Sequence, residues 1–111
     1  MSREIQLVNK WGKRLKQARL AAGLSQKQLG IEAGIDPGVA STRINRYEVG
    51  VHKPDPNVAI ALGKVLKVSA AFFYAPEDDL ADLIFRLGRA SAAERRAIFR
   101  HLSHIEGPPP L

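Results

Sequence analysis

Residues 24–50, LSQKQLGIEAGIDPGVASTRINRYEVG, decide how this chain is read. Ser25 stands three residues before Gln28, the capping-box spacing, in which a hydroxyl and a side-chain amide satisfy backbone N–H groups that a helix start leaves unpaired. A helix therefore begins near Gln26. Leu29 and Ala33, at i and i+4, give it one apolar stripe, and Gly34 supplies the backbone freedom that stops it. After Ile35-Asp36-Pro37-Gly38, the segment from Val39 to Glu48 carries Ala40, Ile44 and Tyr47 at helical spacing, which leaves Ser41, Thr42, Arg43, Asn45 and Arg46 largely outward. A polar helix face is usually just a solvated one. Asn and Arg, however, can make bidentate contacts with adenine and guanine in the major groove, and Ser and Thr are short enough for close approach. Asn45 and Arg46 are the strongest base-reading candidates.

Two short helices joined by a turn, the second carrying such side chains, outline a helix-turn-helix unit. Residues 9–75 resemble the helix-turn-helix domain of the lambdoid phage repressor and Cro proteins, the Xre family. The resemblance is carried by WGKRLKQARLAAGLSQKQLG, INRYEVG and PDPNVAIALGKVLKVSAAFFY, with Arg19, Leu24, Ser25-Gln26, Leu29, Gly34, Ile44, Tyr47-Glu48 and Gly50 as its spaced marks. It implies an all-α fold, a five-helix repressor-like bundle with helices near 9–22, 26–33, 40–48, 56–66 and 69–74. Carried over by position, it also implies that Ser41 and Thr42 are the first base-reading residues and that Asn45 and Arg46 follow one turn later. Gln26 matches a glutamine that contacts phosphate, and Arg19 and Glu48 match a partly buried structural ion pair.

The chain departs from the family pattern between Gly34 and Ile44, where it is about four residues longer, the extra material lying in Asp36-Pro37-Gly38-Val39. Either the connecting loop is enlarged, or Asp36 caps a recognition helix that starts at Pro37 and gains a turn. The loop is favoured, because Gly38 costs about 1 kcal/mol inside a helix and Asp-Pro-Gly is turn chemistry. In the second case the reading residues move toward Val39 and Ser41.

Charge is distributed unevenly. Residues 1–75 hold 12 Lys and Arg against 5 Asp and Glu, whereas residues 76–111 hold 5 against 6. A basic domain attracts the phosphate backbone and releases its counterions, although many basic proteins bind no DNA. His52 and Lys53 follow the recognition helix in a loop between Gly50 and Pro54. A helix-turn-helix lays that loop beside the DNA backbone, so Lys53, Arg43 and His52 are the expected phosphate contacts. Lys10, Lys13, Arg14, Lys16 and Arg19 crowd the first helix, where a solvated face and a phosphate-binding face are both open readings.

Asp55 as a cap and Pro56 at the first helical position open a fourth helix with Val58, Ala61, Leu62, Val65 and Leu66 at helical spacing. Ser69 then precedes Phe72, Phe73 and Tyr74, which read as core rather than as a base-stacking run. Trp11, Leu15, Leu29, Ile44, Leu62, Leu66 and Phe72 are the expected core. Beyond Pro76, Leu80, Leu83, Ile84 and Leu87 mark an amphipathic helix, and Ser91 with Glu94 forms a second capping box before Ile98, Phe99, Leu102 and Ile105. The expected organisation is a DNA-binding domain over 1–75, a helical extension over 76–106 that either dimerises or folds back on the bundle, and a disordered tail over 107–111.

No cysteine is present, so there is no disulfide or thiolate metal site, which fits a reducing cytoplasm. Neither a signal peptide nor an apolar run of the roughly 20 residues needed to span a membrane is seen. His101 and His104 lie at i and i+3, a spacing that could place them on one helix face, but lack an obvious third ligand, so no metal is expected, and no cofactor. No nucleophile and base pattern or phosphate-cradling glycine loop suggests an enzyme. The expectation is a double-stranded DNA-binding transcriptional regulator, a repressor acting as a homodimer on a palindromic operator. The alternative is an antitoxin-like module whose C-terminal helices bind a partner protein.

Overall fold

A computed structural model describes residues 3–107 and 110. Among them it contains seven helices and no strand: α1 (Arg3–Ala21), α2 (Gln26–Glu32), α3 (Ala40–Val49), α4 (Pro56–Leu66), α5 (Ala71–Tyr74), α6 (Asp78–Arg89) and α7 (Ala92–Leu102). Helix α1 starts six residues earlier than the family resemblance implies. Residues 3–11 contain neither glycine nor proline, the residues that most oppose a helix interior. Of the tail expected at 107–111, residues 108, 109 and 111 lie outside the described residues, and neither Gly107 nor Pro110 is helical.

The helix starts follow from local chemistry. The Ser25 hydroxyl accepts from the Gln28 backbone N–H at 3.0 Å while the Gln28 side-chain Oε1 accepts from the Ser25 N–H at 2.9 Å, so both halves of the box are made. Asp55 caps α4 through the Val58 N–H, and Ser91 with Glu94 repeats the box at α7. The recognition helix differs: α3 starts at Ala40 behind Val39, with no side-chain cap. Asp36 is otherwise engaged, its carboxylate accepting from the Gly38 N–H at 2.7 Å and its carbonyl from the Val39 N–H at 3.0 Å. The added residues therefore form an Asx-type turn, and no extra helical turn is gained.

Trp11, Leu15, Leu29, Ile44, Leu62, Leu66 and Phe72 all enter one buried cluster, joined by Phe73, Tyr47, Ile35 and several alanines. Trp11 anchors it, packing 4.9 Å from the Phe73 ring and edge-on to Tyr47 and Tyr74. Two glycines set how closely α3 is held. A Cβ on Gly12 would lie 2.2 Å from the Glu48 carbonyl oxygen, so only glycine lets α1 meet the end of α3 at this distance. A Cβ on Gly30 would lie 2.7 Å from the Ala40 Cβ, where α2 crosses the start of α3. The recognition helix is thus gripped at both ends by backbone approach.

Helix α6 joins the bundle through Ala81, Ile84 and Phe85, the last 5.8 Å from Phe72. Polar ties reinforce it. Buried Arg14 donates through Nε to the Ala75 carbonyl at 2.8 Å and through Nη2 to Asp78 at 3.2 Å, and Lys10 donates to the Pro76 carbonyl. Arg89 lies 3.6 Å over the Phe85 ring and donates to the Lys67 carbonyl. Helix α7, in contrast, buries no residue. No described helix is long and apolar enough to cross a membrane.

Candidate nucleic-acid interface

The exposed side of α3 follows from which residues the core takes. Ala40, Ile44, Tyr47 and Glu48 are buried, which turns Ser41, Thr42, Asn45 and Arg46 to solvent on the opposite side, with Arg43 at the margin. Gly50, at φ +84, ends the helix, and the Val51 and His52 N–H groups both turn back onto the Arg46 carbonyl at 3.0 and 3.3 Å. That reversal brings the 51–54 loop alongside the last turn of α3. Thr42, Arg43, Arg46, His52 and Lys53 consequently line one open recess, with Val39 and Tyr47 completing its wall. Ser41 and Asn45 lie outside it, one turn apart along α3.

The recess is cationic. Arg43, Arg46 and Lys53 make no salt bridge among the described residues, so their charge faces outward uncompensated. Burial pushes the Tyr47 phenol above its ordinary pKa, with Asp55 adding to the rise and Arg43 opposing it. Tyr47 is therefore neutral near pH 7, and its hydroxyl can donate a hydrogen bond into a recess already rich in donors. Sequence reasoning placed Tyr47 on the apolar side of the helix and among the marks of the resemblance, with no role at the surface, and did not mark Val39 for a role in the enlarged-loop arrangement. An aromatic with a buried ring and a polar tip beside a cationic loop was the available signal for Tyr47. None was available for Val39, whose position depends on the turn.

Behind this surface a polar network fixes α3 to α1 and α2. Arg19 grips Glu48 with two hydrogen bonds, Nε to Oε2 at 2.6 Å and Nη2 to Oε1 at 3.1 Å, and gives Nη1 to the Leu24 carbonyl. Both residues are buried. Gln26, half-buried at the start of α2, donates Nε2 to the same Glu48 Oε1 at 3.1 Å. One side-chain N–H of Gln26 is used in this way, and the amide has a second. The first-helix cations divide into two sets: Lys10, Arg14 and Arg19 are committed to internal partners, while Lys13 and Lys16 are exposed. Their partners lie up to 66 positions away, which is why the sequence left both readings of this cluster open.

No three His, Cys, Asp or Glu side chains are grouped among the described residues as a metal ion would need. The donor set of the recess, guanidinium, ammonium, imidazole and hydroxyl, with the Asn45 amide beside it on α3, suits phosphate oxygens and base edges.

Residues 15–73 match the helix-turn-helix family. Among solved structures, the chain is similar to that of the transcriptional regulator BswR, with 40% sequence identity and a TM-score of 0.79, the likeness covering 85% of this chain and 93% of that one. No curated protein matches it by sequence.

Proposed function

The chain belongs to the helix-turn-helix family of the Xre and Cro type, and from that membership we propose that it is a sequence-specific regulator of transcription, a repressor that binds a palindromic operator as a homodimer in the cytoplasm. The observation that carries this reading is the recess itself: uncompensated Arg43, Arg46 and Lys53 flank an exposed α3 face bearing Ser41, Thr42 and Asn45.

In this account α3 enters the major groove. Asn45 and Arg46 read bases bidentately, Ser41 and Thr42 make closer contacts at the start of the helix, and the exposed Val39 side chain meets a thymine methyl group. Lys53, Arg43 and His52 bind phosphates from the adjoining loop, Tyr47 adds its hydroxyl, and Gln26 offers its second amide N–H to the backbone. Action is by occupancy of DNA and requires no chemical step. A palindrome follows from pairing two copies, because two recognition helices about 34 Å apart meet successive major grooves on one face.

Arg46→Ala is the test. A base-reading arginine should cost about 1–3 kcal/mol on the preferred sequence and relax the preference at one base pair. An equal loss on preferred and random DNA would move Arg46 to the phosphate group and overturn this part of the reading.

A further inference from the structure

Arg14, Gln17, Ala18 and Ala21 stand at spacings of three, one and three along α1, and Asp78, Ala81, Asp82 and Phe85 repeat that spacing along α6. Each set is therefore one stripe of its helix. The two stripes line the same recess of about 330 Å³, open to solvent and backed by the buried Phe72. Alanine at positions 18, 21 and 81 leaves that space unfilled. The volume is at the low end of small-ligand sites, about 300–1,000 Å³, which favour the junctions between structural units. This one lies where the five-helix bundle meets the C-terminal extension.

Small residues alone make a gap rather than a site, and Arg14 supplies what a site needs. A guanidinium carries five N–H groups. This one is on a side chain only 5% exposed, and among the described residues it gives one N–H to the Ala75 carbonyl and one to Asp78. The recess that Arg14 lines is the route by which a further acceptor reaches its other N–H groups. Aromatic surface lies beside those donors. The guanidinium carbon is 5.9 Å from the centre of the Phe72 ring, and the Phe85 ring is 5.8 Å from Phe72, so a ring or a branched apolar group can pack there.

Charge decides which acceptor fits. The recess has three ionised side chains, and each already has a partner: Arg14 with Asp78 at 3.2 Å, and Asp82 with Arg86 at 2.9 Å. It is the reverse of the recess at α3, whose cations are uncompensated. An ionic ligand would bring an unpaired charge to a partly apolar site, which is unfavourable. A neutral carbonyl oxygen can accept from Arg14 and leave both pairs intact.

We propose that the α1–α6 recess binds a small uncharged molecule made of an aromatic or branched apolar group and a carbonyl oxygen. The apolar group lies against Phe72 and Phe85, and the oxygen accepts from the Arg14 guanidinium. None of the residues assigned to DNA takes part.

Benzamide has this chemistry in minimal form, and benzoate, benzamidine and toluene keep its ring while changing the charge or removing the acceptor. Each is titrated into the full chain without DNA, with backbone amides followed by nuclear magnetic resonance. Benzamide should shift the amides of Gln17, Ala21, Ala81 and Phe85 saturably, with a dissociation constant on the order of 1 mM. Toluene, which cannot accept from Arg14, should bind about tenfold more weakly, and both charged analogues should also bind more weakly than benzamide. Ala21→Leu fills the recess from an exposed position, so the chain should keep its fold and lose about tenfold or more in benzamide affinity. The proposal is overturned by an absence of saturable shifts at these amides, by tighter binding of benzoate or benzamidine, or by an Ala21→Leu chain that binds as the wild type does. Shifts at the same amides on dilution of the free chain would overturn it too, by placing a second copy over the recess. Because the titration contains no DNA, its failure leaves the reading of α3 untouched, and a chain that selects no DNA sequence can still bind benzamide.

Discussion

Replacing Arg19 by alanine tests the internal frame that holds the recognition helix. The side chains of Arg19 and Glu48 are 10% and 3% exposed, and the arginine supplies two of the three hydrogen bonds made to the Glu48 carboxylate. Without it, a buried carboxylate keeps one neutral donor, Gln26, and the Leu24 carbonyl loses its partner. Stranding a buried charge in this way costs about 3–5 kcal/mol, a large part of the roughly 5–15 kcal/mol available to a small domain. The midpoint of thermal unfolding should fall by about 15 °C or more. Urea unfolding followed by circular dichroism at a fixed chain concentration measures the loss directly. Because the penalty comes from the stranded charge, Arg19→Met combined with Glu48→Leu should recover most of it. A loss under about 1 kcal/mol, the range of exposed ion pairs, would refute the argument. So would a double variant as unstable as the single one.

Other outcomes follow from the same geometry. Gly30→Ala puts a Cβ 2.7 Å from the Ala40 Cβ and should shift α3, costing about 1–3 kcal/mol of stability together with DNA affinity; Ala40→Gly in the same chain should restore part of both, as unfolding and DNA titration would show. Ser25→Ala removes a made cap and should cost about 1 kcal/mol in urea unfolding. Lys53→Ala should weaken binding to all sequences and reduce the salt dependence of affinity by about one unit of slope, and a changed base preference at constant slope would contradict its role as a phosphate contact.

Much of the helical framework was legible because each start is written in adjacent residues. Ser25 with Gln28, Asp55 with Pro56, and Ser91 with Glu94 carry their caps locally, and the structure makes all three. The seven core residues were legible from periodicity, though Phe73, more deeply buried than Phe72, was passed over because adjacent aromatics cannot be ranked by spacing alone. Other features depended on distant partners. Arg14 looks like any cation on a basic helix until the Ala75 carbonyl, 61 positions on, meets it in the interior. The chain reversal at Gly50 makes a recess from α3 and the 51–54 loop, and no local signal shows that Val39 shares it. Amphipathicity likewise marked α7 as a helix needing cover without telling whether the bundle would supply it. The bundle does not, since α7 buries nothing.

The most direct test of the account is selection of bound fragments from a randomised double-stranded DNA pool at near-physiological salt, followed by sequencing. The account predicts enrichment of one short motif repeated with two-fold symmetry, its half-sites about one helical turn apart. A folded chain that binds DNA at low salt but enriches no motif would reduce the cationic recess to general electrostatics and contradict sequence-specific recognition by α3.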